Sequence, residues 1–249
     1  MNKPVTPQEL IAADKRLKVE VLQCYSVPEQ VIWQAAKNDY SEEPIFDKEV
    51  PKDPGKWIVD SLLANDRGHY GCLEHPHITF NCSGFVHSVM VQGRTHRVGH
   101  SWDCQSQRYT GKRVQKVANG LLSVDDVFYL RPEGHYIDRQ GERYFYSEED
   151  RQQDIEDILL ACQKYHERRL RKYNEEHIRD LLPQAIRQNF VFTVNLRSAL
   201  HFMDLRAKRD AQLEIQALCE LLWPKLKMWA PNVCAYYEEK RLYKARLSP

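Results

Sequence analysis

The sequence predicts a domain that combines β-strands with α-helices, and three observations predict it. Residues 18–25 and 77–82 alternate apolar and polar side chains, the period of a half-buried strand. Residues 134–137 and 142–145 are two short runs joined by Asp138, Arg139, Gln140 and Gly141, the composition of a hairpin turn. Ile155, Ile158, Leu159, Cys162 and Tyr165 recur at the spacing of one helix face. A length of 249 residues fits one sizeable domain, or at most two small ones, and the chain is read as a single domain, 1–249.

In chain order, the strand at 18–25 leads to Ser26 and Pro28, which mark a helix start for residues 29–37. Residues 40–55 are acidic and carry Pro44, Pro51 and Pro54, so they read as a loop. Trp57, Ile58, Val59, Leu62 and Leu63 then resume an apolar helix that Gly68 ends. Ile78, Phe80 and Cys82 occupy one strand face, and Ser83 is expected to cap a helix through Phe85, Val86, Val89 and Met90. Gly93 ends that helix and releases a loop from Arg94 to Arg108, whose cations suit a helix C-terminus.

Residues 127–130 read as a further strand before the hairpin. Ser147 with Asp150 caps the long helix. Residues 190–194 form a short strand and 198–207 a helix. Ala211, Ile215, Leu218 and Leu222 make another helical stripe, kinked or stopped at Pro224.

Charge is balanced, with 36 Lys and Arg against 35 Asp and Glu, whereas a protein held on nucleic acid through phosphates carries a larger basic excess. Seven cysteines without regular spacing point to a reduced intracellular protein. No apolar run reaches the roughly 18 residues of a membrane span. The opening Met-Asn-Lys-Pro-Val-Thr lacks a secretory core. The expectation is a soluble, cytoplasmic protein without membrane or nucleic-acid partners.

One stretch, residues 92–113, is too basic and polar for core. Arg94, Arg97, Arg108, Lys112 and Arg113 face a single acid, Asp103, with Ser101, Gln105, Ser106, Tyr109 and Thr110 between them. Guanidinium groups grip phosphate bidentately, so the mixture suits a phosphorylated ligand; the plainer alternative is a solvated basic loop. His69, Glu74, His75 and His77 lack the spacing of a zinc site, and no metal is expected. No Gly-x-Ser-x-Gly elbow is present, and Cys72, Cys82, Cys104 and Cys219 lack the surroundings of a catalytic thiol.

The order of residue types in that stretch resembles the signature of the flavin-dependent thymidylate synthases. Thr95-His96-Arg97, eight residues, then Ser106-Gln107-Arg108-Tyr109 is similar to the family's Arg-His-Arg, seven residues, Ser-x-Arg; Thr95 replaces the first Arg, with Arg94 beside it. Asn195-Leu196-Arg197-Ser198 followed by Asp204-Leu205-Arg206-Ala207 resembles the family's C-terminal Asn-x-Arg-Ser and Leu-Arg-Ala runs. His69 to His75 resembles its upstream His-x-Ser/Thr-x-x-Glu-His block, with Gly71 at the Ser/Thr position. Three blocks in order span roughly residues 69–215. Classical thymidylate synthases attack the pyrimidine with a cysteine, commonly in Pro-Cys-His, and this chain has no Pro-Cys-His.

The resemblance implies an α+β fold, a mixed and largely antiparallel sheet flanked by helices. It implies the homotetrameric assembly of the thymidylate synthase complementing proteins, with active sites drawn from several subunits. The reaction implied is reductive methylation of dUMP to dTMP with methylenetetrahydrofolate, FAD and NADPH, without a cysteine nucleophile. dUMP would be held by Gln92, Arg94, Thr95, Cys104, Gln105, Ser106, Gln107, Arg108, Arg179 and Arg206. FAD would meet Gly71, Glu74, Thr95, His96, Arg97, Cys104, Asn195, Arg197 and His201. Arg206, His69 and Ser106 would be catalytic, Arg206 by easing ionisation of uracil N3. Cys104, His201 and Asp210 stand where many members have Glu, Asn and His. The alternatives are a related flavin- and folate-dependent enzyme such as a dUMP hydroxymethylase, and a nucleic-acid-binding module using Trp102 and Tyr109 for stacking.

Overall fold

The computed structural model describes residues 3–46, 48–138 and 140–244. The elements run α1 (Pro7–Ala13), β1 (Lys18–Cys24), α2 (Pro28–Asp39), α3 (Pro54–Ile58), β2 (His77–Val86), α4 (His87–Gly93), β3 (His100–Cys104), α5 (Gln107–Thr110), α6 (Lys112–Ala118) and α7 (Val124–Val127). They continue with β4 (Gly134–Ile137), β5 (Arg143–Tyr146), α8 (Glu148–Leu170), α9 (Glu175–Ile178), β6 (Arg187–Asn195), α10 (Leu196–Arg206), α11 (Leu213–Trp229) and α12 (Pro231–Lys240). The fold is α+β, an antiparallel sheet flanked by helices.

The main sheet has the strand order β1-β2-β6-β3. In each neighbouring pair, the bonded positions climb one strand while descending the other, the mark of antiparallel pairing. Tyr25 N–H donates to His77 O and Ser83 Oγ to Arg16 O; the Thr79 and Thr193 hydroxyls meet at 2.9 Å, and His87 N–H donates to Ile186 O. Asn195 N–H reaches Gly99 O, and Gln105 N–H reaches Asn189 O. β4 and β5 form the expected hairpin with Gly134 opposite Tyr146 and Ile137 opposite Arg143. Arg139 of its turn lies outside the described residues, as do Asp47 of the 40–55 loop and the first two residues.

Packing divides the chain into two compact units. The first comprises Met1–Lys18, Cys82–Thr95 and Asp103–Phe190. Its core gathers Val114 and Val117 of α6, Ile158, Cys162 and Tyr165 of α8, and Phe128, Ile178 and Ile186. α8 begins on the expected capping box, Ser147 with Asp150, and its acidic first turn and basic last turn oppose the helix dipole. Arg187 is buried here, paired with Asp14 at 2.6 Å and donating to the carbonyls of Gly84, Asp125 and Phe128.

The second unit comprises Val19–Asn81, His96–Trp102 and Val191–Pro249. It buries Ile32, Ile58, Phe80, Phe192, Phe202, Ile215, Leu218 and Val233. Glu29 is buried too, accepting from the backbone N–H groups of Asn232 and Val233, so a carboxylate serves the N-terminus of α12.

Several expectations are corrected. β2 continues to Val86, so Ser83 caps nothing, and the helix starts at His87. Phe85 and Val86 are buried from the strand, and Gly84, at φ +81, brings its backbone against Arg16 where a Cβ would lie 2.3 Å from the carbonyl oxygen. The Arg94–Arg108 segment is not all loop, for it contains β3 and the start of α5. At 127–130 the Ser123/Asp126 capping box winds α7 first, leaving one bridge, Phe128 to Ile186.

α2 starts at Pro28 as expected, with Val27 in the N-cap position and no side-chain cap. The apolar helix from Pro54 turns into a π-helix at Val59–Leu63 and ends before Gly68, where Asn65 adopts φ +59. Pro224 does not stop α11, which runs on to Trp229, because Leu218, Cys219, Leu222, Trp223 and Leu226 bury the helix around it and packing outweighs one missing N–H.

Candidate active site

In the second unit, Asn195 ends β6 and caps α10, its Oδ1 accepting Ser198 N–H at 2.8 Å from a buried position. That cap fixes the register of α10, so Arg197 and His201, four residues apart, share one face. With Tyr70, Leu73, Glu74 and Val98 they line a cleft of about 320 Å³. Arg197 Nη1 meets Glu74 Oε1 at 2.5 Å. Asp204, Tyr237 and Arg241 line the same cleft: Tyr237 Oη donates to Asp204 Oδ1 at 2.6 Å and Arg241 Nη2 to Oδ2 at 2.9 Å. Burial, followed by Asp204, drives the Tyr237 phenol well above its ordinary range.

His96 is 8% exposed and accepts Arg206 Nε–H at Nε2, 2.9 Å away. A ring nitrogen that accepts from a guanidinium is unprotonated, which assigns the imidazole proton to Nδ1. Burial foremost, then Arg206, His100 and His201, pushes its pKa down to about 4. His96 packs on Phe202 at 4.9 Å and faces His201 and His100 at 5.8 and 5.5 Å. Burial also brings His100 down to about 4, against a weaker opposing effect of the Ser198 backbone. Trp102 stacks on Phe192 at 4.3 Å, and His100 lies parallel to Trp102. Gly99, at φ +68, turns the chain against the α10 cap. Arg206 is itself lowered by burial.

Not every predicted flavin residue joins these groups. His69 is exposed and lines a separate cleft, with Tyr40 Oη 3.1 Å from its Nδ1. Gly71 opens the short 3₁₀ turn Gly71–Glu74, and a Cβ there would meet nothing within 4 Å, so the family's Ser or Thr would fit. Arg97 is exposed.

In the first unit, Arg94 caps the C-terminus of α4, as the basic stretch predicts, and Thr95 Oγ1 donates to Gln92 O at 2.7 Å. Cys104 ends β3 half-buried, and Gln105 is fixed by Asn189, whose N–H reaches its Oε1. Ser106 stands at the N-cap of α5 without a side-chain capping bond, and Gln107 and Arg108 begin that helix. α5 and α9 pack together, which brings Ser106 and Arg108 toward the segment that carries Arg179. Arg108 pairs with Glu176 at 2.5 Å, and Glu176 raises its affinity for the proton. Arg113 serves the fold instead: burial lowers its pKa, and it donates to Arg187 O at 2.8 Å.

Asp204, Tyr237 and Arg241 escaped the sequence reading. The only signal was Asp204 itself, an acid placed directly after the apolar run Phe202-Met203. Among the described residues no three His, Cys, Asp or Glu side chains gather as metal ligands, and no helix is long and apolar enough to cross a membrane. Burial raises Cys72, Cys162, Cys219 and Cys234, keeping them as thiols.

These side chains define an α+β protein that gathers guanidinium and imidazole groups, a chemistry for anionic and planar ligands. Residues 20–232 match the family described as thymidylate synthase complementing protein. The flavin-dependent thymidylate synthase of Halobacterium salinarum is 33% identical over 252 residues, covering 94% of this chain and 100% of that protein. Its counterpart in Haloarcula marismortui is 31% identical, again covering 94% and 100%. A solved thymidylate synthase X from Helicobacter pylori, crystallised with FAD and dUMP, shares the fold at a TM-score of 0.65 and 16% identity, covering 88% of this chain and 98% of that one. The chain belongs to the thymidylate synthase complementing protein family.

Proposed function

We propose that this chain is a flavin-dependent thymidylate synthase. It converts dUMP to dTMP with methylenetetrahydrofolate as one-carbon donor, FAD as cofactor and NADPH as reductant. The observation that carries this reading is Arg206, a partly desolvated cation oriented by a neutral imidazole. A guanidinium so held stabilises a developing anion without reorganising, which is what ionisation at uracil N3 requires. His96 keeps that orientation because its depressed pKa leaves Nε2 as an acceptor at neutral pH.

The cleft at α10 suits a flavin dinucleotide by its donor set. Arg197, Arg241 and His201 match phosphate and heterocycle oxygens, and Leu73, Val98 and Leu200 offer apolar contact to a planar ring. Glu74 fixes Arg197, and Asn195 sets the helix from which Arg197 and His201 project. FAD, when bound, supplies to the transferred carbon the two electrons taken from NADPH. Thr95, His96, Arg97 and Gly71 are proposed to add contacts, and His69 to act near the flavin.

For dUMP, Arg108 and Arg179 grip the phosphate, Ser106 donates to the nucleotide, and Gln92, Arg94, Gln105 and Gln107 complete the polar wall. Cys104 contributes contact, not a nucleophile, since the proposed chemistry needs no thiol adduct. The chain acts as one domain, 1–249, in a cytoplasmic homotetramer whose sites are completed by residues from several subunits.

Titration of the purified protein with FAD, followed by visible absorbance with and without dUMP, tests the reading. The expected result is saturable binding, a spectrum that shifts when dUMP is added, and dTMP as product once methylenetetrahydrofolate and NADPH are present. A folded protein that binds no FAD, or yields 5-hydroxymethyl-dUMP instead, overturns it.

A further inference from the structure

The run His166-Glu167-Arg168-Arg169-Leu170-Arg171-Lys172-Tyr173 at the end of α8 takes no part in the proposed chemistry, and it sets four Arg or Lys side chains and a histidine against one acid. The acids of α9 are engaged: Glu175 pairs with Arg169 and accepts from Tyr165 Oη at 2.5 Å, and Glu176 pairs with Arg108. Arg168, Arg171 and Lys172 are exposed. α6 packs beside this end, for Gln115 Nε2 lies 3.4 Å from His166 Nδ1, and a Cβ at Gly111 would lie 3.1 Å from Arg169 Nη1. Lys112 and Lys116, each one position beyond those contacts, are exposed too. Cations gathered on one surface repel each other unless an anion covers them or salt screens them.

The backbone singles out one of them. Tyr173 N–H returns to Arg168 O at 3.1 Å and Lys172 N–H to Arg169 O at 2.9 Å, the paired bonds that close a helix over a left-handed residue. That residue is Lys172, at φ +60, where glycine sits without strain and a side chain does not. The helix dipole does not require it, since Arg168, Arg169 and Arg171 already put cations at the helix end. Strain kept at an exposed lysine points to a task for its side chain. Beside it Tyr173 is 44% exposed, with Arg171 Cζ 4.9 Å from its ring centroid and Arg171 Nη2 donating to its hydroxyl at 3.0 Å. An exposed ring braced by a guanidinium among further cations combines a stacking platform with phosphate donors.

We propose that the end of α8 binds single-stranded nucleic acid. Lys112, Lys116, Arg168, Arg171 and Lys172 take backbone phosphates, and Tyr173 stacks on a base. None of these residues is among those proposed for dUMP or FAD, and the inference does not rest on the function proposed above. Charge is balanced over the whole chain, so the attraction is confined to this patch, and binding is weak and sensitive to salt. An acidic protein or an anionic membrane would meet the same cations without needing the ring, and the experiment separates them.

The test uses the full chain with dUMP in excess, so that the proposed nucleotide site does not report. It follows the fluorescence anisotropy of a labelled oligodeoxycytidylate of about 20 nucleotides, longer than one binding module covers. Expected is binding that weakens about 50-fold as salt rises from about 50 to 200 mM, the dependence for about four phosphates. Lys172→Gly should weaken it about threefold and flatten the salt slope by about 0.7, while the thermal midpoint stays level or rises because glycine accepts φ +60. Tyr173→Leu should weaken it about tenfold and leave the slope unchanged. Undiminished affinity in either variant overturns the proposal. A Lys172→Gly midpoint several degrees lower overturns it as well, because the lysine then supports the helix end. Equal binding of duplex DNA or of polyglutamate refutes it in favour of charge alone, and binding of phosphatidylserine vesicles without the oligonucleotide refutes it in favour of a membrane.

Discussion

His96 gives the sharpest quantitative test of the site. Replacing it with Gln keeps an acceptor for Arg206 Nε–H while removing the group that titrates. In the unfolded chain the imidazole takes up a proton near pH 6.5; folded, it resists until about pH 4. Between those values the unfolded chain binds more protons, so stability is whole above about pH 6.5 and falls as pH drops toward 4. The full difference corresponds to about 3 kcal/mol, of which about 2 kcal/mol should be lost between pH 7 and pH 5. His100, also brought down to about 4 by burial, is present in both proteins, so the difference between them removes its share. Urea unfolding of wild type and His96→Gln at fixed protein concentration, at both pH values, isolates the contribution: the variant should lose about 2 kcal/mol less. If both proteins lose the same amount within about 0.5 kcal/mol, His96 is not held neutral and the account of Arg206 fails.

Two further outcomes follow from the same geometry. Arg206→Lys keeps a cation but loses the Nε–H that meets His96, and dTMP formation should fall about 100-fold with FAD affinity little changed; turnover near wild type would refute the role of Arg206. Gly99→Ala would place a Cβ 2.2 Å from Ser198 Oγ and 2.3 Å from Asn195 Nδ2 at φ +68, so thermal unfolding should show a loss of about 2 kcal/mol or more; an unchanged midpoint would mean that the α10 cap yields easily.

The parts of this fold that announce themselves in sequence are those decided locally. Ser147 and Asp150 form their box three residues apart, the hairpin has its turn between its strands, and α8 shows its buried stripe. The basic stretch was legible as a binding segment because guanidinium groups do not belong in core. What was hidden depends on distant partners. Arg206 and His96 are 110 positions apart and meet because α10 and the β3 approach converge within the second unit. Residues 83–86 carry side chains that suit either state, and only the sheet neighbours, through Asn189 and Arg16, choose the strand. Arg241 is an ordinary surface cation by sequence until Asp204 is seen beside it.

The division of the chain into two compact units has a consequence for how it folds. Each unit is assembled from three separate segments, the first finishing at Phe190 and the second at the C-terminal end. As the chain leaves the ribosome, the first unit has to wait for residue 190 before it can close, and the second for the final helices. Neither can be excised as a continuous fragment. Folding therefore rests on non-local pairing, which is slow, and a truncation between α8 and residue 190 leaves both units incomplete and should yield insoluble chain rather than an autonomous half.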